Sequence, residues 1–247
     1  MPISKTDFVR ALQCEKMLWL DSHVPEQKIV PPEIQAKLDA GNEFGDKAMG
    51  IFGPFIETTT LREDGRLHFS AMIEKTKNLL EEQTPVICEA SFSWYGNFCA
   101  ADILRLQNSG YALYEVKNAY EPRQEFITDL GFQRLILRKS GVKVTASCLV
   151  LRGDEPPAPN SEDAETQKRP TQGCVERIKQ DGFTYKIVDV TAAAKMAERT
   201  AEKRIFEFGK LKRKDAEMPG VQTGEQCNKP YRCWYYEFCH GASELDV

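Results

Sequence analysis

The stretch VICEASFSWYGNFCAADILRLQNSGYALYEVK, residues 86–117, decides the fold. Three β-rich runs, Val86 to Phe92, Phe98 to Leu106 and Tyr111 to Lys117, are separated by Gly96-Asn97 and by Asn108-Ser109-Gly110. β-branched and aromatic residues suit a pleated surface, and Gly and Asn suit the turns between, so the stretch predicts a three-stranded antiparallel meander. Glu89, Asp102 and Glu115 recur within it at intervals of thirteen. With turns centred between Tyr95 and Gly96 and between Asn108 and Ser109, Glu89 falls opposite Asp102, and Asp102 opposite Glu115. Residues directly opposite share a face with Cβ atoms about 4.5–5.5 Å apart, where like charges are destabilising. A row of three carboxylates therefore needs a compensating cation, and Mg²⁺ or Mn²⁺, which prefer oxygen ligands, would supply one. Lys117, two residues beyond Glu115, falls on the same strand face.

Outward from the meander the pattern turns helical. Ser4 and Asp7 form a capping-box-like start to a helix whose Phe8, Leu12, Leu18 and Trp19 can face a core, with Cys14 on or near it. Residues 33–52 and 68–83 read as further helices. After the meander a helix runs from about Arg123 to Lys139, closed by Gly141, and Val142 to Leu151 returns as a strand. Residues 152–172, rich in Pro, Asp and Glu, read as an exposed loop. A hairpin turns at Asp181-Gly182, and a long helix runs from Thr191 to about Lys214. Its end carries Lys210, Lys212, Arg213 and Lys214. These cations form either a solvated face or a set of phosphate contacts. No internal repeat is present.

The 247 residues, 41% of them hydrophobic, can bury a substantial core as one domain. Its expected parts are a helical portion (1–85), a core (86–151), the loop (152–172) and a C-terminal hairpin, helix and cysteine segment (173–247). A net charge of -4 argues against coating nucleic acid by bulk electrostatics, although a carboxylate-rich site itself adds negative charge. No basic leader with an apolar run and no membrane-length apolar stretch is present, so a cytoplasmic location is expected. Eight cysteines without an export signal point to metal binding or burial in preference to disulfides. His23, His68 and His240 are isolated.

Asp102, followed on the next strand by Glu115-Val116-Lys117, resembles the D…(D/E)xK signature of PD-(D/E)xK nucleases, which share a restriction-endonuclease-like α/β core with a mixed central sheet flanked by helices. The resemblance implies that the two acids hold the metal and that the lysine orients or activates the attacking water. It adds the Val116 carbonyl as a metal ligand. Glu89 is similar to the additional acid of RecB-type members, and Gln133 to the glutamine opening their QxxxY motif. The tyrosine position of that motif is Leu137, and the position of a frequent upstream histidine is Gly45, with Glu43 and Asp46 the acids nearby. Without the family, Gln133 reads equally as a structural hydrogen-bonding amide among Phe126, Leu130 and Leu137.

Cys227, Cys233 and Cys239 stand at regular six-residue steps. RecB-type nucleases with an iron-sulfur cluster use one cysteine upstream of the core and three after it, so the resemblance implies Cys14 as the fourth ligand. That group includes CRISPR-associated adaptation nucleases, and the Cys227-to-Cys233 run resembles a CxxPYxC variant in related bacterial proteins. Thiolates bind zinc as well as 4Fe-4S clusters, but structural zinc ordinarily has about two to four residues between paired ligands, and here there are five. Cys88, Cys99, Cys148 and Cys174 lie singly in strand-like runs and read as buried apolar residues.

The resemblance thus implies a Mg/Mn-dependent deoxyribonuclease, expected to be an exonuclease, with DNA ends as substrate, a structural 4Fe-4S cluster, and DNA-processing or CRISPR adaptation partners. The alternatives are a non-catalytic DNA- or partner-binding module on the same fold, and an iron-sulfur redox sensor.

Overall fold

Tyr95 and Gly96 both take left-handed backbone angles (φ 49 and 79), the requirement of a tight two-residue hairpin, and Trp94 pairs with Asn97 across it. The second turn closes over Asn108-Ser109, with Gln107 paired to Gly110. Both turns centre where the sequence places them. The computed structural model describes residues 1–30, 32–154 and 174–241, with backbone only at 32–35, 37, 38, 174 and 175. Strands β1 (Ile56–Glu57), β2 (Val86–Trp94), β3 (Asn97–Gln107), β4 (Gly110–Val116), β5 (Val144–Arg152), β6 (Cys174–Gln180) and β7 (Phe183–Asp189) form one mixed sheet in the order β1-β2-β3-β4-β5-β7-β6. The meander β2-β3-β4 is antiparallel, β5 lies parallel to β4 after a helical crossover, and the β6-β7 hairpin adds antiparallel through β7. The edge strand β1, parallel to β2, was not legible because two residues carry no periodicity.

Helices α1 (Lys5–Gln13), α2 (Glu15–His23), α4 (Phe69–Glu81), α5 (Gln124–Lys139) and α6 (Thr191–Leu211) cover one face, where Phe8, Leu18, Leu79, Phe132 and Phe208 pack on Ile87, Leu113 and Leu149. Helix α3 (Pro32–Ala48) and the 3-10 turn after it cover the other, through Phe44, Ala48 and Ile51 on Ile103, Tyr114 and Val150. Strand alternation sorts β4 cleanly, since Ala112, Tyr114 and Val116 face α3 while Leu113 faces α5. Helices α5 and α6 approach backbone to backbone, because a Cβ on Gly131 would stand 2.5 Å from the Ala197 Cβ. Among the described residues no helix is long and apolar enough to cross a membrane.

Two helical expectations are corrected. The N-terminal helix does not run unbroken to Trp19: Cys14 is extended (φ -160, ψ 114), its N–H donates to the Arg10 carbonyl, and α2 starts afresh after it. The chain turns there, leaving Leu12 39% exposed instead of in the core. Helix α6 ends at Leu211, short of Lys214. Of the expected loop, residues 155–172 lie outside the described residues.

Candidate active site and thiol pocket

The ladder between β2 and β3 is continuous except at one place. Cys88 pairs with Ile103 and Ala90 with Ala101, so Glu89 and Asp102 face each other as the count requires, but they make no regular pair. Glu89 has a left-handed backbone (φ 54), unusual for a residue with a Cβ. The break resets side-chain alternation in both strands, since Ile87 and Leu104 below it share a core cluster with Ala90 and Ala101 above it. The Glu89 carbonyl is held by the hydroxyls of buried Thr58 (2.5 Å) and of Ser91 (3.0 Å). A strained acidic residue held by two side chains is the kind of outlier that accompanies functional sites. On the other side of β3, Ile103 pairs with Tyr114, which brings Asp102 next to Glu115, and the Val116 N–H donates to Asp102 Oδ2 at 2.7 Å.

Glu115 lies wholly buried at the base of a cleft of about 320 Å³ that Glu89, Asp102, Val116 and Lys117 also line. Its Oε1 accepts from Lys117 Nζ at 2.7 Å and from Lys5 Nζ at 2.9 Å, and its Oε2 from Gln133 Nε2 at 2.5 Å. Lys117 also meets Asp129 Oδ2 at 2.9 Å, and Lys5 stands 4.0 Å from Asp102 Oδ1. The opposite wall is the Gly41, Asn42, Gly45 and Asp46 face of α3, joined to the end of β4 by Asn118 Nδ2 donating to the Ala40 carbonyl. A Cβ at Gly41 or Gly45 would touch nothing within 4 Å, so this wall leaves the cleft open. Glu43, by contrast, pairs with Lys47 on the exposed side of the helix.

Electrostatics divide the acids. Burial pushes Glu115 upward, but the ammonium groups of Lys117 and Lys5 and the Gln133 amide outweigh it and hold the carboxyl well below its ordinary range. Burial and then Glu115 push Asp102 upward, and the two lysines and the Val116 N–H offset this only partly. Burial and then Asp102 raise Glu89 to about 7. Lys117 is raised despite its burial, chiefly by Glu115 and Asp129, and Lys5 by Glu115 and Asp102. More negative charge is gathered here than two ammonium groups neutralise. Among the described residues Gln133 Oε1 is buried without a hydrogen-bond partner, while its Nε2 donates to Glu115.

The sequence reading missed Lys5 and Asp129. Both had signals. Lys5 is the first residue of α1, where a cation opposes the helix dipole, so its place there calls for a nearby acid. Asp129 lies four residues before Gln133 on the same helical face of α5.

The four cysteines singled out by the resemblance line a second pocket, small and apolar, of about 10 Å³, together with Met17, Leu20 and Tyr235. Cys14 stands at the α1–α2 break and the other three in the C-terminal segment, which folds through a 3-10 turn (Glu225–Cys227) and α7 (Tyr236–His240). The Cys233 N–H donates to the Cys227 carbonyl at 2.7 Å, and the Tyr235 N–H to the Cys233 sulfur at 3.4 Å. The Tyr235 hydroxyl and Arg10 both bond Asp21, which ties the C-terminal segment to α1 and α2. Burial raises the Cys233 thiol to about 11 and raises that of Cys239. Thiolates are ligands for zinc and for iron-sulfur clusters. Among the described residues, no group of three or more His, Cys, Asp or Glu stands close enough together to hold a metal ion, here or in the cleft.

Cys88, Cys99 and Cys148 are buried strand thiols, each raised by burial to about 12. The Cys174 side chain lies outside the described residues. His68 caps α4 through its ring nitrogen, and His23 stacks on Trp19. None of Lys210, Lys212, Arg213 and Lys214 lines the cleft. Lys212 pairs with Asp7 at 2.8 Å and Arg213 with Asp215 at 2.9 Å, while Lys210 and Lys214 are exposed. No protein-family model and no curated protein matches this chain.

Proposed function

We propose that the protein is a metal-dependent nuclease of the PD-(D/E)xK type, similar to RecB-type exonucleases, that hydrolyses phosphodiester bonds in DNA. One observation carries the reading. Asp102 and Glu115 meet across adjacent strands at the base of an open cleft, with Lys117 bonded to Glu115. Asp102, Glu115, the Val116 carbonyl and Glu89 would hold Mg²⁺ or Mn²⁺, and the surplus carboxylate charge fits a divalent cation. Such an ion polarises a phosphate and lowers the pKa of bound water. The protein's own groups do the rest. Gln133 fixes the Glu115 carboxylate from behind, and Asp129 holds the Lys117 ammonium beside it. Lys117 there aligns a water and steadies charge on the phosphate.

The test is incubation of the pure protein with end-labelled single-stranded and duplex DNA in Mg²⁺, Mn²⁺ or EDTA. Degradation from an end with metal and none in EDTA is expected. Lys117→Ala should lose cleavage at least about a hundredfold while still binding DNA, since the lysine acts on the water. A wild type that cuts neither DNA with either metal sinks the reading.

For the thiol pocket we propose a structural 4Fe-4S cluster held by Cys14, Cys227, Cys233 and Cys239. The five-residue gaps between the C-terminal cysteines favour it over a single zinc ion. Anaerobically purified protein should be brown and contain iron and sulfide; colourless protein with one zinc per chain would decide for zinc.

A further inference from the structure

Glu115 accepts three donors in its buried position, and they are not held alike. Lys117 has a second acid, Asp129, at 2.9 Å, and Gln133 is wholly buried. Lys5 makes no second close ion pair among the described residues: Asp102 stands 4.0 Å away and Asp129 acts on it from farther off, and Lys5 lines the cleft. Its ammonium lies between the two acids that the nuclease reading assigns to the metal. Of the three donors it is the one whose departure would break the fewest other contacts. A lysine stem is flexible, and the helix behind it keeps its own cap, in which Ser4 Oγ accepts from the Asp7 N–H and Asp7 from the Ser4 N–H. Lys5 thus can withdraw while α1 stays docked, whereas moving Lys117 would strand Asp129 and moving Gln133 would disturb the core.

We propose that Lys5 is the site's resident counter-ion: its ammonium fills the place between Glu115 and Asp102 when no divalent metal is bound, and a metal must displace it to enter. The inference rests on the nuclease reading for the identity of the cleft. Lys5 is therefore a positioning residue that sets metal affinity, distinct from Lys117, which stays on Glu115. Without Lys5 the metal-free protein would hold Glu115 and Asp102 with one cation fewer, at a cost in stability, and would bind metal more tightly.

Full-length wild type, Lys5→Gln and Lys5→Arg, each with its thiol-bound metal intact, are titrated with Mn²⁺ and followed by the electron paramagnetic resonance of free Mn²⁺. Melting in EDTA is measured on the same samples. Lys5→Gln should bind Mn²⁺ about tenfold more tightly, as removal of a competing unit charge predicts, and melt lower in EDTA. Lys5→Arg, which keeps the charge, should bind no more tightly than wild type. Should Lys5→Gln unfold in EDTA, its recovery by Mn²⁺ supports the proposal, and failure of Mn²⁺ to refold it overturns it. Equal or weaker Mn²⁺ binding by Lys5→Gln also overturns it, and with metal-dependent cleavage intact in wild type the nuclease reading survives. Tighter binding without cleavage of any nucleic acid leaves Lys5 its role and removes the nuclease. Absence of Mn²⁺ binding in all three proteins removes both.

Discussion

The cleft and the thiol pocket are opposite solutions to gathering reactive side chains. The cleft draws Glu89, Asp102 and Glu115 from three consecutive strands, sets a buried Glu115 beneath the part-exposed Glu89 and Asp102, and carries its cost openly as a left-handed Glu89 and as Glu89 and Asp102 carboxyls pushed upward. The pocket draws its thiols from the two ends of the chain and closes them among Met17, Leu20 and Tyr235. Helix α1 runs between the two, with Lys5 in the first and Cys14 capping its end at the second. The contrast teaches that charge and packing gather side chains at different costs: the acids are held against electrostatic stress, the thiols among apolar neighbours, and the proposed roles of reaction site and fastening rest on that difference.

That contrast breaks if damage to the cleft costs stability or damage to the pocket costs none. Asp102→Asn should lower Mn²⁺-dependent cleavage at least about a thousandfold, the several kcal/mol that a metal contributes to a transition state. Metal-free stability should stay level or rise by about 0.2–1 kcal/mol, because a repelling charge is removed and the Asn oxygen can still accept from the Val116 N–H. Melting with and without Mn²⁺ measures both, and the Mn²⁺ shift seen in wild type should shrink in the variant. A clear loss of metal-free stability would make Asp102 a structural residue.

The pocket should respond in the opposite sense. If the pocket holds the proposed cluster, Cys233→Ser and Cys14→Ser should lose it alike and melt about 10 °C lower, from the stabilisation a tightly bound ligand provides. Cys88→Ser, altered within the sheet, should keep its metal; elemental analysis distinguishes them. A smaller effect belongs to the helix that joins the regions. Lys212→Ala removes the ion pair to Asp7 and should cost about 0.5–1 kcal/mol, with little change in the salt dependence of DNA binding. A reduced salt slope at unchanged stability would instead place Lys212 on phosphate.

The gentlest test is pH. The folded protein raises Glu89 to about 7 from an ordinary 4.5, so it binds the proton more tightly than the unfolded chain does. The resulting stability is complete below about 4.5 and is lost as pH rises through about 7. In EDTA the melting temperature should therefore fall between pH 5 and pH 8, and Glu89→Gln should flatten that fall. An equal slope in the variant would mean that Glu89 is not the group being titrated.

The meander, its two turns and the facing of Glu89, Asp102 and Glu115 could all be read from residues 86–117, because in an antiparallel hairpin the turn alone sets which residues meet. The Asp181-Gly182 hairpin and the helix after it were legible for the same local reason. The break in the ladder at Glu89 was not, since it depends on hydroxyls from Thr58 and Ser91 that no periodicity announces. Nor was Lys5, which meets Glu115 across 110 residues of chain, or the contact of Cys233 with Met17 across 216. Spacing governs only what a single turn can bring together; where α1 docks, and hence which cation reaches the acids, is decided by Phe8 burying itself against Phe132 and Phe208.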